Sequence, residues 1–248
     1  MKIGVQTYTI RKLAKKNLGF ALDELLRVGV NKVELARLDL NDELSLLLSK
    51  KKIEVLSIQM TANKLLKDVE QISSFAKQVH CNLVIVSRLS IPAILGGKSS
   101  LLKFSKKLNQ LVDLYHQKGI QVAFHHHDFE FKKIGNETKL EILLKNTLDE
   151  LRIVSDTFWS KKSGYEPHEV IEMIGKRLIG IHLRDYMIQE NGRSMDTEVG
   201  SGLIDFNQVM LVSNDASYAV IEQNTKHEIE SIERSFNYLK SNYKEYFR

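Results

Sequence analysis

The sequence alternates between short apolar runs and longer segments of helical period, and this alternation restricts the folds that the chain can adopt. The apolar, often β-branched runs are predicted as eight strands: Lys2–Tyr8, Lys32–Ala36, Glu54–Gln59, Leu83–Ser87, Gln121–His126, Arg152–Ser155, Ile179–Leu183 and Tyr218–Glu222. The segments with apolar residues every three or four positions are predicted as helices: Asn17–Val28, Asn41–Lys51, Asn63–Val79, Leu101–Lys118, Leu140–Asn146, Pro167–Ile174, Asp205–Val212 and Lys226–Tyr243. Regular alternation of this kind is typical of a parallel sheet covered by helices.

The number of these units favours a closed barrel over an open sheet. No linker rich in Pro, Gly or Ser divides the 248 residues, and the only prolines are Pro92 and Pro167. The first strand runs into Gln6 and Thr7 rather than into the glycine-rich turn that an open doubly wound sheet often carries. We therefore predict an α/β protein with a single (β/α)8 TIM barrel, as one domain over residues 1–248.

Composition excludes several classes of protein. The chain is 43% hydrophobic and 27% charged, which argues against disorder, and its one cysteine, Cys81, cannot form a disulfide within the chain. Cys81 is expected to be a buried structural thiol. The net charge of +5 favours a solvated lysine-rich surface over a nucleic-acid partner. No apolar run approaches the length of about 18 residues that a transmembrane helix needs, and the N-terminus resembles a strand rather than a signal peptide. We therefore expect a cytoplasmic protein without a membrane partner.

The last four predicted strands each end in a side chain that can bind a metal. These residues are His125, Asp156, His182 and Glu222. Active sites of such barrels lie at the carboxyl ends of the strands, so the four side chains should meet there. Alternation along each strand predicts an inward group, Ala123, Val154, Gly180 and Val220, and an outward group, Phe124, Ile181 and Ile221.

A divalent cation explains this set of side chains better than separate hydrogen bonds do. Two carboxylates buried together would repel each other, whereas a divalent cation balances the charges of Asp156 and Glu222. His125 and His182 would bind as neutral imidazoles. Mixed nitrogen and oxygen ligands suit Mn, Co, Zn, Fe or Mg. The alternative is four unrelated polar residues that cap the barrel, and their occurrence on consecutive strands favours one divalent metal ion instead.

The segment after the fifth strand contains further candidates. His127 shares a face with His125, so either could be the fifth-strand ligand, while His126 points away and is expected to pack under a helix. Glu130 is either an acid–base or supporting carboxylate of the site or a solvated loop residue.

Three features of the later loops also concern the site. Trp159, predicted on a loop at the barrel mouth, could stack on a sugar ring or pack in the core. Arg184 could bind a hydroxyl, carboxylate or phosphate of a substrate, or pair with Asp185. The glycine-containing loop 198–206 could present backbone N–H groups to an anionic or polyhydroxyl ligand, or simply lead into the helix that Asp205 caps.

Five segments, in order, resemble the xylose-isomerase-like TIM-barrel superfamily: VAFHHHDFEF, DTFW, IHLRDY, EVGSGLIDF and VIEQN. This superfamily includes sugar phosphate isomerases and epimerases, inosose-dehydratase-like enzymes and tagatose-epimerase-like enzymes. The likeness is clear over residues 121–224 and looser in the first half, where IGVQTYT and KVELA carry it.

The resemblance implies one divalent metal at the barrel top, with the ligand set His125, Asp156, His182 and Glu222. It implies abstraction of a proton α to a carbonyl and an enediolate stabilised on the metal. It further implies Glu222 as a ligand and base, Glu130 as its partner, and Glu34 as an acid of the substrate pocket. The chain departs from the family in two places. Many members have Glu at the position of His125, which removes one proton-transfer carboxylate, and Arg184 replaces the usual Lys.

These observations predict a metal-dependent isomerase or epimerase of a small sugar or polyol. Glu222, Glu130 and Arg184 are its expected catalytic residues, and Glu34, His127, Trp159 and Arg184 its expected substrate-binding residues. A dehydratase or lyase acting on a keto-sugar or inosose would use the same site. A non-catalytic sugar-binding barrel is disfavoured by the intact ligand set, and a homo-oligomer is left open.

A repair nuclease of the endonuclease IV type is less favoured. It needs a three-metal cluster with additional histidines, but Trp159 stands three residues after Asp156. The third and fourth strands, moreover, end near Gln59 and Arg88 rather than near further ligands.

Overall fold

The computed structural model describes residues 1–247, and its central feature is a closed barrel of eight parallel strands. These strands are β1 (Lys2–Gln6), β2 (Lys32–Ala36), β3 (Glu54–Met60), β4 (Leu83–Val86), β5 (Gln121–His125), β6 (Arg152–Asp156), β7 (Leu178–Leu183) and β8 (Tyr218–Ile221). Each strand pairs with the next along the chain, and β8 closes the barrel on β1, where Lys2 lies opposite Tyr218 and Val5 opposite Ile221. The predicted (β/α)8 TIM barrel is confirmed.

Helices connect the strands and cover the outside of the barrel. They are α1 (Arg11–Lys16), α2 (Leu18–Arg27), α3 (Asp42–Lys50), α4 (Ala62–Lys67), α5 (Val69–Gln78), α6 (Ile91–Leu95), α7 (Lys98–His116), α8 (Lys139–Asn146), α9 (Thr157–Lys162), α10 (Pro167–Ile174), α11 (Phe206–Leu211) and α12 (Glu228–Asn242). Short 3-10 helices lie at Thr7–Ile10, Phe129–Phe131, Gly175–Arg177 and Lys244–Tyr246. Two antiparallel hairpins pair Lys133–Ile134 with Glu137–Thr138 and Asp185–Ile188 with Ser194–Thr197.

The core has an inner and an outer layer, as the alternation along the strands predicts. The inner cluster within the barrel includes Ala123, Val154 and Val220. The outer cluster between strands and helices includes Phe124, Ile181 and Ile221. Side chains of strand residues that share the parity of the inner cluster therefore point into the barrel, which sets the direction of the polar residues at the strand ends.

The structure differs from the predicted elements mainly at their ends and in the loops. The first strand ends at Gln6 because Thr7–Ile10 form a 3-10 helix. The predicted helix Asn63–Val79 is two helices, since Asp68 has non-helical torsion angles and separates α4 from α5. Asn17 lies outside α2 and caps it by accepting a hydrogen bond from the N–H of Phe20. Elements of two to six residues, such as the hairpins, are too short to produce a periodic signal.

We expect Gly180→Ala to destabilise the barrel. A Cβ atom at Gly180 would lie 2.4 Å from the ring of Tyr218, which crosses the barrel interior at this point. Insertion of a methyl group into a packed core costs about 1–3 kcal/mol, so thermal unfolding should shift to lower temperature. Gly19→Ala, in α2, is the matched control, because a Cβ atom at this position would lie 3.4 Å from its nearest neighbour and needs no rearrangement of the core. Equal melting temperatures for the two variants would contradict the expectation.

Within residues 1–247, no helix combines the length and the apolar character that crossing a bilayer requires. Cys81 is buried as predicted, and burial raises the pKa of its thiol to about 12, which keeps it protonated and unreactive near neutral pH.

Candidate metal centre

The four residues at the strand ends converge at one point. His125 ends β5, Asp156 ends β6, His182 is the penultimate residue of β7 and Glu222 follows β8; all four are buried. Strand register brings them together, since His182 lies opposite both Asp156 on β6 and Val220 on β8. One ligand atom of each residue lies within 4.8 Å of those of the other three.

The distances within the cluster suit a common ligand sphere. His125 Nε2 lies 3.4 Å from Asp156 Oδ2. His182 Nδ1 lies 2.7 Å from Glu222 Oε2 and 4.0 Å from Asp156 Oδ2. The cluster contains His125 and not His127, so His125 is the fifth-strand residue that could bind a metal.

Unpaired buried atoms support a metal at this point. Neither ring nitrogen of His125 has a hydrogen-bond partner, and Asp156 Oδ2 has none either. Asp156 Oδ1 accepts a hydrogen bond from the N–H of Trp159 and caps α9, which leaves Oδ2 free to face the cluster. Buried polar atoms without partners cost free energy, and a divalent cation with mixed nitrogen and oxygen ligands would satisfy them. The residues present therefore fit a divalent cation.

The electrostatics of the cluster also favour positive charge at its centre. Although burial disfavours the charged imidazolium, the carboxylates of Glu34 and Glu222 raise the pKa of His182 to about 10. Burial likewise opposes ionisation of Glu222, but Arg184 and His182 bring its pKa well below the usual range. The site thus stabilises positive charge between ionised carboxylates, and a divalent cation supplies that charge without a proton on His182.

Glu34, predicted as an acid of the substrate pocket, lies instead beneath His182 inside the barrel. It is fully buried and does not line the cavity above the cluster. Its Oε1 lies 2.9 Å from His182 Nε2 and accepts a hydrogen bond from Gln6. Its Oε2 accepts hydrogen bonds from Ser57 and Tyr218. The carboxylate therefore orients His182 so that Nδ1 faces the cluster, an arrangement common for metal-binding histidines.

A cavity of about 860 Å³ opens above the cluster at the barrel mouth. His125 and Glu222 lie among its lining residues, and so do His127, Trp159 and Arg184. The rings of His127 and Trp159 lie 5.4 Å apart. The sequence predicts Trp159 on a loop, but in the structure it belongs to α9. Three of the four expected substrate-binding residues therefore share one cavity with the cluster, and Glu34 does not.

Arg184 is held in place by three acids and an aromatic ring. Its Nη1 lies 3.4 Å from Glu222 and 3.6 Å from Asp156, and its Nη2 donates a hydrogen bond of 3.0 Å to Asp196. The guanidinium carbon lies 4.5 Å from the centroid of the Phe158 ring. Sequence reasoning missed Asp196, which lies in a four-residue hairpin strand without an apolar pattern. The predicted alternative, a pair between Arg184 and the neighbouring Asp185, does not form.

Asp185 instead holds the glycine-containing loop. Its carboxylate accepts hydrogen bonds from the backbone N–H groups of Tyr186, Gly200, Gly202 and Ile204. These donors are satisfied within the chain and are not presented to a ligand. The suggestion that this loop binds an anion was therefore wrong, and the alternative of a loop leading into α11 is correct.

Glu130 and His126 support the site from outside the cavity. Glu130 is fully buried, not solvated, and accepts a hydrogen bond of 2.8 Å from the backbone N–H of His127. Burial raises the pKa of Glu130 to about 7. Glu130 is not among the residues that line the cavity. His126 is buried, and its Nε2 accepts a hydrogen bond of 3.1 Å from the backbone N–H of Asp156.

Within residues 1–247, the cluster is the one group of His, Cys, Asp and Glu side chains spaced to bind a metal. The additional ligands that a three-metal nuclease centre would need are not found in this part of the chain.

Comparisons with known proteins agree with this fold. A sugar phosphate isomerase/epimerase from Parabacteroides distasonis is 17% identical, with a TM-score of 0.80 over 100% of this chain and 95% of that chain. The IOLI protein, solved with a bound zinc atom, is 16% identical, with a TM-score of 0.74 over 100% and 99% of the two chains. The probable 3-DHS dehydratase AsbF from Bacillus anthracis is 13% identical, with a TM-score of 0.74 over 98% and 100%.

At these identities, the structural likenesses show the fold alone. A search of curated protein sequences finds no match. The sequence model described as xylose isomerase-like TIM barrel matches residues 22–242, most of the chain. The chain therefore belongs to the xylose isomerase-like TIM barrel family.

Proposed function

We propose that this protein is a divalent-metal-dependent isomerase or epimerase that acts on a small sugar or polyol by abstracting a proton α to a carbonyl. The observation that carries the proposal is the convergence of His125, Asp156, His182 and Glu222 at one point, next to the cavity that His125 and Glu222 line. A bound divalent cation would polarise a substrate carbonyl and stabilise negative charge on its oxygen.

Glu222 is the base in this proposal. Of the two carboxylates in the cluster, it is the one that lines the cavity. Its pKa lies below the usual range, so Glu222 is ionised near neutral pH; because this also makes it a weak base, it would depend on a bound cation to acidify the α C–H bond of the substrate. Arg184, fixed beside it, can donate hydrogen bonds to a substrate oxygen and help orient the reacting carbon.

The arrangement favours isomerisation over inversion at a single carbon. Inversion requires an acid and a base on opposite faces of the substrate, and His125 occupies the position where many relatives have a second carboxylate. Glu130, the other candidate, lies outside the cavity. One base can move a proton between adjacent carbons on one face, or remove it during elimination of water. The aromatic face of Trp159 is available to stack on the apolar side of a sugar ring.

The test is deuterium uptake from solvent. Protein loaded with Mn(II) is incubated in deuterium oxide with a panel of ketoses, inososes and 3-keto-sugars, and products are followed by proton NMR. We expect uptake at the carbon α to the carbonyl of at least one compound, and a loss of about 100-fold or more in Glu222→Gln. His168→Ala, on the outer helix α10, is the control and should retain the parent rate. Uptake accompanied by loss of water would identify a dehydratase, and no uptake across the panel would contradict the proposal.

A further inference from the structure

Three cationic side chains at the cavity mouth have no acidic partner. Arg37, Arg88 and Lys162 all line the cavity and are exposed. Within residues 1–247, none of them lies within ion-pair distance of a carboxylate. Two other cations of the cavity are neutralised, since Lys64 pairs with Asp68, and Arg184 pairs with Asp196 and with the two acids of the cluster. The unpaired positive charge of the cavity is therefore carried by these three side chains.

Arg37 is held in this position at a conformational cost. It follows β2 with φ of 57°, in the left-handed region that residues other than glycine rarely adopt. Its guanidinium carbon lies 4.4 Å from the centroid of the Tyr8 ring, against which Arg11 packs at 4.1 Å. Stacking on an aromatic ring fixes a guanidinium without neutralising it. A strained residue that presents an unpaired charge to a cavity points to a ligand.

The topology separates these arginines from the metal cluster. Arg37 follows β2 and Arg88 follows β4, whereas the cluster residues lie at the carboxyl ends of β5 to β8 on the other half of the barrel. Lys162, at the end of α9, lies 4.7 Å from the centroid of the Trp159 ring. The cavity volume of about 860 Å³ is large enough for a small ligand to reach from the cluster to the arginines.

We propose that the substrate of this enzyme carries an anionic group, a carboxylate or a phosphate ester, which Arg37 and Arg88 bind while its reacting carbons lie at the metal cluster. This inference rests on the proposed function for the position of the reacting carbons, but not for the anion site itself. Guanidinium groups bind the oxygens of carboxylates and phosphates in pairs, and an unpaired arginine retains its full charge for this contact. Lys162, at the end of α9, adds a third positive charge to the cavity mouth.

The test compares sugars that differ only in a terminal anionic group. Binding to Mn(II)-loaded protein is measured by calorimetry for D-fructose and D-fructose 6-phosphate, and for L-sorbose and 5-keto-D-gluconate. We expect the anionic member of at least one pair to bind about tenfold or more tightly, as one additional charge-assisted contact implies. The pair that shows the preference distinguishes a phosphate ester from a carboxylate.

Substitutions then locate the anion site. Arg37→Gln and Arg88→Gln should each reduce the preference about fivefold or more, whereas Lys106→Gln, on the exposed side of α7, should leave it unchanged. Arg37→Gly should lose the preference and also melt at a higher temperature than Arg37→Gln, because glycine adopts a positive φ without strain.

Three results would overturn the proposal: equal affinities within both pairs, binding of neither anionic probe, or a preference that survives both arginine substitutions. Calorimetry measures binding without turnover, so its outcome is independent of deuterium uptake. An anion preference without deuterium uptake would refute the isomerase proposal and leave the anion site standing.

Discussion

Alanine at both His182 and Glu222 removes the metal: we expect about one divalent ion per chain in the parent protein and less than about a tenth of that in the double variant. Both residues contribute ligand atoms to the buried cluster, and their loss leaves only His125 and Asp156. Two protein ligands alone rarely retain a divalent ion through dialysis. The measurement is metal content by mass spectrometry after dialysis against a metal-free buffer.

Folding must be separated from ligation in this experiment. Loss of His182 leaves the buried carboxylate of Glu34 without one of its partners, which itself lowers stability. The metal content of Asp156→Asn is therefore measured in parallel. This substitution keeps the size of the side chain and the oxygen that caps α9, but it removes the negative charge of the carboxylate. His168→Ala with Glu169→Ala, the same change of residue types on the outer helix α10, is the matched control. Full metal content in a folded double variant would show that the metal, if bound, lies elsewhere.

The sequence predicts the four residues of the candidate metal centre but not the residues that orient them. His125, Asp156, His182 and Glu222 end neighbouring strands, and a regular register makes their convergence a consequence of local pattern. The position of Glu34 near the end of a strand follows from the same pattern. Its role as the partner of His182 could not be predicted, because that role depends on contacts with residues of other strands.

Contacts made by loop and hairpin residues could not be predicted from the sequence either. Asp196 reaches Arg184 from a hairpin whose existence has no periodic signal, and Asp185 uses the backbone donors that loop 198–206 had suggested for a ligand. Glycines in a loop indicate that the backbone turns there, but not which acceptor its N–H groups will find. The fold and the convergence of the four candidate ligands follow from local patterns in the chain, whereas the hydrogen-bond partners of each of these residues are determined by packing across the barrel.

Glu34→Gln is expected to weaken metal binding by about 10- to 100-fold while the barrel stays folded. The substitution keeps the size of the side chain and one acceptor oxygen, but it removes the charge that faces His182 Nε2. A neutral amide polarises the imidazole less, and its NH₂ group cannot accept the hydrogen bonds that Ser57 and Tyr218 donate. The metal dissociation constant is measured by competition with a chelator at a temperature where both proteins are folded.

Two further variants separate the effect on His182 from a general loss of packing. Tyr218→Phe removes one donor to Glu34 and leaves the carboxylate in place, so it should lower the melting temperature but change metal affinity only a few-fold. Glu54→Gln, at an exposed carboxylate that pairs with Lys2, should change neither. Nitrogen-15 NMR of His182 adds a readout independent of affinity, because loss of Glu34 should shift the balance of its ring tautomers. If Glu34→Gln binds metal as tightly as the parent and leaves the tautomer unchanged, then Glu34 stabilises the barrel interior without positioning His182.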